Sequence, residues 1–260
     1  GRMINKLRMM SLLLGEFVPD QLKAYLTDLA EERTDYTDYK VKDIRQFSKV
    51  VAPVAPTELV DLVLASLVQR RDRGMRSQTS RDRALSHRDS DYIPPSPAQP
   101  PFLDLLESAP AEGLRLIRTL VAEAVRYHAG GKTPEKNGFT LVFETGPRFF
   151  PWTESFFWSR EQSHEYSAAS GLKALEAWCH KRLDDGEPVA QVLADILGPD
   201  GSCAAYLLVA IDVLLSHFTV SRDALAPFIA SPDILAIDQS RRSHDMLGGS
   251  IERFSVGDEP

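Results

Sequence analysis

Apolar residues recur every three or four positions along most of the chain, the spacing typical of amphipathic helices. Before residue 70 this pattern predicts three helices. The first begins at Pro19-Asp20, the second covers about 40–51 and the third begins at Pro56. Proline suits the first turn of a helix, where its missing N–H would have no intrahelical partner. Because three helices of this length bury only a thin core, we expect this segment to pack against another part of the chain.

Beyond residue 100 the helical pattern strengthens. The predicted helices cover Pro101–Ser108, the stretch from Pro110 to Gly130-Gly131, the neighbourhoods of 172–183, 188–197 and 203–215, and a last segment from Ser221, as N-cap, to about Ala230. Residues 203–215 are apolar on every side apart from Asp212, which predicts a buried central helix. Short loops rich in Gly, Pro and Asp indicate antiparallel neighbours, so the expected fold is mainly α, a helical bundle or a HEAT-like helical stack.

One stretch between the helices has a different pattern. Phe139–Phe143 predicts a strand, Glu144–Arg148 a turn and Phe149–Ser159 a second extended piece. Eight of the 22 aromatic residues (12 Phe, 7 Tyr and 3 Trp) fall in 139–158. The sequence therefore predicts one inserted aromatic β-hairpin at about 138–160.

A basic, proline-rich stretch separates the two helical parts. Gln69–Arg88 contains seven arginines and two aspartates with almost no apolar residue, and five prolines follow by residue 101. Such a segment cannot bury enough surface to offset the entropy lost on ordering. We predict an N-terminal helical segment at 1–73, a linker at 74–100, a helical domain at 101–240 and a mobile tail at 241–260.

Composition and charge narrow the class of protein. The 260 residues are 43% hydrophobic and 26% charged, a globular balance, and no apolar run approaches membrane-spanning length. Two cysteines fit a reducing cytoplasm. The net charge of −7 divides into +3 over residues 1–90 and −10 over the remainder, which argues against a chain that binds nucleic acid over its whole surface.

Candidate chemistry is sparse. Gly130-Gly131-Lys132-Thr133 resembles the end of a phosphate-binding loop, but Arg126 stands where that motif needs glycine. The side chains with metal-ligating chemistry are His128, His164, Glu165, Cys179, His180, Asp184, Asp185, Cys203 and His217. Their spacing matches neither a Cys-x-x-Cys nor a His-x-x-x-His pair, so we predict no metal, no cofactor and no catalytic residue. An enzyme with a site between helices, lined by Asp212, His164 or His217, stays open as an alternative; Asp212 otherwise faces a polar gap or pairs with an arginine.

Two segments are candidates for binding a partner. In the hairpin, the candidate anchors are Phe149, Phe150, Trp152, Phe157 and Trp158, because alternation cannot place every ring on one covered face. The chain's own helices are the alternative cover for these rings. In the basic stretch, Arg70, Arg71, Arg73 and Arg76 could contact nucleic-acid phosphates or an acidic protein, or could simply be solvated.

A family resemblance rests on the segment that enters the second helical part. Tyr92-Ile93-Pro94-Pro95-Ser96-Pro97, then Pro101–Leu106, then Pro110 followed by Gly113-Leu114, resembles part of some large bacterial ATP-binding proteins, several of which are associated with phage defence. The resemblance covers about residues 90–220 and implies a helical middle region separate from the ATPase module. Because the complete phosphate-binding loop is absent, it transfers no ATPase activity and no catalytic residue.

Together these features predict a cytoplasmic, non-catalytic helical scaffold or sensor module that binds a protein partner. It would belong to a larger ATPase-linked bacterial defence protein. The alternatives are a nucleic-acid-associated module that uses the arginine-rich segment, and an all-α enzyme.

Overall fold

The computed structural model describes residues 10, 12–31, 35–68, 95–128, 137–160, 167–237 and 239. The helices are α1 (Pro19–Glu31), α2 (Asp35–Gln46), α3 (Ser48–Val51), α4 (Pro56–Leu67), α5 (Phe102–Ser108), α6 (Pro110–His128), α7 (Ser167–Asp184), α8 (Val189–Leu197), α9 (Ala205–Ser216) and α10 (Phe218–Ile229). The strands are β1 (Gly138–Phe143) and β2 (Gly146–Pro151), and short 3-10 turns lie at Gly15–Phe17, Thr153–Ser155 and Trp158–Arg160. The predicted mainly α fold with one aromatic hairpin is confirmed.

Most helix boundaries follow the predicted capping chemistry. Proline is the first residue of α1, α4 and α6, and Pro188 immediately precedes α8. Helix α9 is buried on nearly every side, as its apolar composition predicts. The predicted N-cap at Ser221 is wrong, because α10 begins three residues earlier at Phe218. The Ser221 hydroxyl instead lies inside the helix, 2.5 Å from the Leu214 carbonyl oxygen and 2.9 Å from that of His217.

One hydrophobic core runs through both helical parts of the chain. Helix α4 packs against α6, and α3 packs against α5. Polar contacts reinforce this packing: Arg115 of α6 forms an ion pair with Asp61 of α4 at 2.9 Å, and the Ser48 hydroxyl donates to Asp104. The N-terminal helices thus obtain from α5 and α6 the apolar surface that they lack by themselves.

Residues 95–100, the last six of the predicted linker, pack against α7. The Ser170 hydroxyl donates to the side-chain carbonyl of Gln99 at 2.6 Å, and the Lys173 ammonium donates to the Pro95 carbonyl at 3.0 Å. The rest of that predicted linker, 74–94, and the predicted tail, 241–260, lie outside the described residues.

Helix α7 lies at the centre of the second part and contacts α5, α6, α8, α9 and the 158–160 turn. Helix α6 lies close to α7 at Gly171, where a Cβ would lie 3.2 Å from Ile117 Cγ1. Twelve of the 18 residues of α7 are buried. Polar side chains on α7 are therefore held in fixed positions against their neighbours.

The hairpin packs one face on the helices. Phe139 pairs with Phe150 and both are buried, while the Phe143 ring meets Phe228 of α10 edge-on at a centroid distance of 5.9 Å. Strand β2 ends at Pro151, so the prediction of an extended piece as far as Ser159 is wrong. The chain turns at Trp152, whose positive φ of 67° stops the strand, and continues as 3-10 turns.

Within the described ranges, the helices are too short or too polar to cross a membrane.

Candidate functional site

The outer face of the hairpin is the first candidate site. Antiparallel register places Thr140 opposite Phe149 and Val142 opposite Pro147, and all four side chains point away from the core. Val142 is 68% exposed and Phe149 is 39% exposed. The hairpin therefore presents an apolar strip to solvent while its inner face is buried.

Gly138 shapes this strip. A Cβ at residue 138 would lie 2.5 Å from Phe149 Cζ and 2.5 Å from the Phe150 carbonyl oxygen, so only glycine allows the Phe149 ring to lie across the end of β1. The Phe149 ring is therefore held by backbone packing rather than left free on the surface.

The other predicted anchors of the hairpin segment have a structural role. Phe150 is fully buried, and Trp152, Phe157 and Trp158 pack against the core while keeping partial exposure. The helices thus cover most of these rings, and Phe149 is the predicted anchor that remains most open to a partner. The predicted contacts of Arg70, Arg71, Arg73 and Arg76 lie outside the described residues.

Arg148 fixes the hairpin to the end of α8. Its Nη2 donates to the carbonyl oxygens of Leu197, Gly198 and Pro199 at 2.9, 2.9 and 2.7 Å. These carbonyls lie at and just beyond the C-terminus of α8, where backbone acceptors lack intrahelical donors and a positive charge is favoured. Burial lowers the pKa of Arg148, although Asp200 at 3.4 Å acts in the opposite direction.

A polar cluster between α7 and α9 is the second candidate site. Arg160 makes two hydrogen bonds to the Glu176 carboxylate, at 2.7 and 2.8 Å, and also donates to Asp212. Asp212 thus pairs with an arginine, one of the two arrangements expected for a carboxylate in an apolar helix. Burial raises the pKa of Glu176, but His180 and Arg160 outweigh burial and hold that pKa below its usual range.

Two imidazoles extend the cluster towards the end of α9. His180 is one helical turn beyond Glu176, with Nε2 3.9 Å from the Glu176 carboxylate. His180 Nδ1 lies 3.0 Å from Nε2 of His217, the residue that joins α9 to α10. His217 Nδ1 lies 3.8 Å from Asp184 at the end of α7. The contacts thus run continuously from Asp212 through Arg160, Glu176, His180 and His217 to Asp184.

The two cysteines are not part of the cluster. Cys179 and Cys203 are free and buried, and burial raises the pKa of both thiols, that of Cys179 to about 12. His180, next to Cys179, points instead to the partly exposed side of α7, as expected for adjacent helical residues. In the part of the chain that the structure describes, three or more His, Cys, Asp or Glu side chains nowhere gather in a way that could hold a metal ion.

Sequence reasoning singled out Asp212, His180 and His217 but not Arg160 and Glu176, which connect them. Arg160 and Glu176 are 16 positions apart, and Arg160 and Asp212 are 52 apart, so only the packing of α7 on α9 brings them together. The spacing of Glu176 and His180 at i,i+4 was the one local signal that could have revealed the cluster. His164, the third candidate named with Asp212 and His217, lies outside the described residues.

No protein-family model matches the chain, and a search of curated proteins finds no match either.

Proposed function

We propose that the chain is a protein-interaction module and that it binds an extended segment of a partner along β1, over the outer face of the hairpin. The single observation that carries this proposal is the exposed pair Val142 and Phe149 on a hairpin whose opposite face is fixed in the core. A rigid, partly desolvated aromatic ring is the type of residue that anchors protein interfaces.

Strand β1 is the better edge for adding a strand. In the described residues the sheet has two strands, so each strand keeps one edge outside the hairpin ladder. Pro147 and Pro151 remove two N–H groups from β2, whereas β1 contains no proline. A partner segment that adds to a sheet edge needs those donors, and alternate side chains of the segment would lie on the apolar strip.

Charge indicates the chemistry of that segment. Glu144 is exposed at the hairpin turn, and Asp200, 97% exposed on its side chain, lies beside Arg148. Residues 91–260 carry a net charge of −10. The partner is thus an extended segment that alternates apolar residues with Lys or Arg, since opposite charge favours encounter and register.

The resemblance to bacterial ATP-binding proteins supports a place for this module in a larger assembly. This chain has no complete phosphate-binding loop of its own, so in such an assembly the ATPase module would be a separate part, and we propose that it carries the segment.

The proposal is tested with an eight-residue synthetic peptide of alternating valine and lysine, titrated into 15N-labelled full chain and followed by amide chemical shifts. Binding is expected to shift the β1 amides. Phe149→Ser is expected to weaken binding about tenfold or more, which corresponds to about 1.4 kcal/mol. An eight-residue peptide of alternating valine and glutamate is the charge control.

Phe218→Ser is the matched control variant, because Phe218 is a phenylalanine outside the hairpin, 51% exposed at the start of α10. It should leave binding unchanged. Equal binding of the lysine and glutamate peptides would contradict the basic character of the segment. Full binding by Phe149→Ser would exclude the hairpin face as the docking surface.

A further inference from the structure

The two imidazoles between α7 and the α9–α10 junction face each other directly. His180 Nδ1 and His217 Nε2 are 3.0 Å apart while the ring centres are 5.2 Å apart, a combination that requires the two nitrogens to point at each other nearly in line. Neutral imidazole has one N–H and one lone pair, so this contact needs one ring as donor and the other as acceptor.

The outer nitrogens of both rings face carboxylates. His180 Nε2 faces Glu176 at 3.9 Å and His217 Nδ1 faces Asp184 at 3.8 Å. Two neutral rings have two N–H groups in total, and one of them lies between the rings. One outer nitrogen must then turn a lone pair towards a carboxylate, which is unfavourable.

Adding one proton removes this conflict. The pair then has three N–H groups, one between the rings and one directed at each carboxylate. Adding a second proton places N–H groups on both facing nitrogens, so the hydrogen bond between the rings is lost and two positive charges meet. The geometry thus suits one added proton and opposes two.

The surrounding charges act in the same direction. Helix α7 contributes Glu176 and Asp184, α9 contributes Asp212, and the 158–160 turn contributes Arg160, which binds Glu176 and Asp212. Three carboxylates are thus balanced by one guanidinium, which binds two of them, so a positive charge on the imidazole pair is favoured. From the other packed helices, Asp195 of α8 is bound by Arg182, and Arg222 and Asp223 of α10 are exposed.

We propose that His180 and His217 form a proton-binding site that holds one proton between α7 and the α9–α10 junction, and that a second proton breaks the hydrogen bond between the two rings. His217 joins α9 to α10, and its carbonyl oxygen accepts hydrogen bonds from the Val220 and Ser221 amides. Separation of the rings would break the direct contact of His217 with His180 of α7. The proposal is independent of the hairpin as a docking surface.

Proton linkage gives the expected pH dependence. Unfolded histidines titrate near pH 6.5. A folded site that holds a single proton contributes most to stability where the two unfolded histidines together hold about one proton. That contribution falls on either side of this pH.

The first test is 15N NMR of the full chain. A hydrogen bond between the rings is expected to give a scalar coupling between His180 Nδ1 and His217 Nε2 at about pH 6.5, and this coupling should disappear about two pH units lower. If two rings show no coupling at any pH and titrate independently, the proposal is wrong.

The second test is a double-mutant cycle of His180→Gln and His217→Gln, with urea unfolding at several pH values. The coupling between the two sites is expected to be about fivefold in the unfolding equilibrium constant at about pH 6.5, the size of one net hydrogen bond. This coupling factor should fall towards one at low pH, where the two sites act independently. A coupling that does not change with pH would contradict proton binding, and the NMR test on the unmodified chain decides the matter should a variant fail to fold.

Discussion

The guanidinium Nη2 of Arg148 lies 2.9 Å from the carbonyl oxygen of Leu197, the last residue of α8. Arg148 of β2 and Leu197 of α8 are 49 positions apart in the chain, so this contact joins two elements that do not follow one another. Arg148 also stacks over the Phe150 ring, with Cζ 4.7 Å from the ring centre. One side chain thus caps a helix and covers the inner face of the hairpin.

Arg148→Met is expected to lower the free energy of unfolding by about 2 kcal/mol, because it removes charge-assisted hydrogen bonds to carbonyls without helical donors. Urea unfolding measures this loss. Arg126→Met is the control: Arg126 forms an exposed pair with Glu123 on the same helix, and its removal should cost less than about 0.5 kcal/mol. Equal losses for the two variants would contradict a capping role.

Gly113→Ala is expected to destabilise the protein although alanine is the better helix former. A Cβ at residue 113 would lie 2.8 Å from the backbone nitrogen of Leu106, and the α5 backbone cannot move aside as a side chain could. The steric cost, about 1–3 kcal/mol, outweighs a gain in helix propensity of about 1 kcal/mol. The melting temperature should fall.

Gly171→Ala is the matched control for Gly113→Ala. Its Cβ would lie 3.2 Å from Ile117 Cγ1, a side-chain atom that can shift. We expect a change in unfolding free energy within about 1 kcal/mol in either direction. If Gly113→Ala were as stable as the unmodified chain, the close approach of α5 and α6 would be incorrect.

Both cysteines are expected to resist thiol reagents in the folded protein. Burial raises the pKa of Cys179 to about 12 and also raises that of Cys203, so little thiolate forms at pH 8 and neither sulfur is accessible. A chromogenic disulfide reagent at pH 8 should detect no thiol in native protein and two in urea. Rapid labelling of either cysteine without denaturant would contradict this burial.

Glu176→Gln is expected to destabilise the protein by about 1–2 kcal/mol at pH 7, because Arg160 loses its doubly bonded carboxylate. Since the folded state holds the pKa of Glu176 below its usual value, this stabilisation is present above about pH 4.3 and is lost as the pH falls through the folded value. The unfolding free energies of variant and unmodified chain should therefore converge in acid. Glu107→Gln, which breaks an exposed pair with Lys181, should have little effect at any pH.

The sequence was informative where local chemistry determines structure and silent where packing does. Proline positions located the starts of α1, α4 and α6, and the apolar pattern identified α9 as a buried helix. Serine favours the N-cap position, which led to the wrong prediction at Ser221. The chain instead turns at His217, and the helix begins at Phe218. The Arg160–Glu176–Asp212 contacts depend on how α7 packs against α9, which no short pattern encodes.

The hydrogen bonds of Gln99 and Pro95 to α7 have a consequence for how the chain can be divided. Both borders of 69–94 belong to one body: Leu67 lies in the core on one side, and Pro95 is buried and held by Lys173 on the other. Packing therefore holds α4 against α6, and the covalent connection through 69–94 is not required for it. Separately expressed fragments ending at Val68 and starting at Pro95 should reassociate, which would make this position a natural point for fragment complementation.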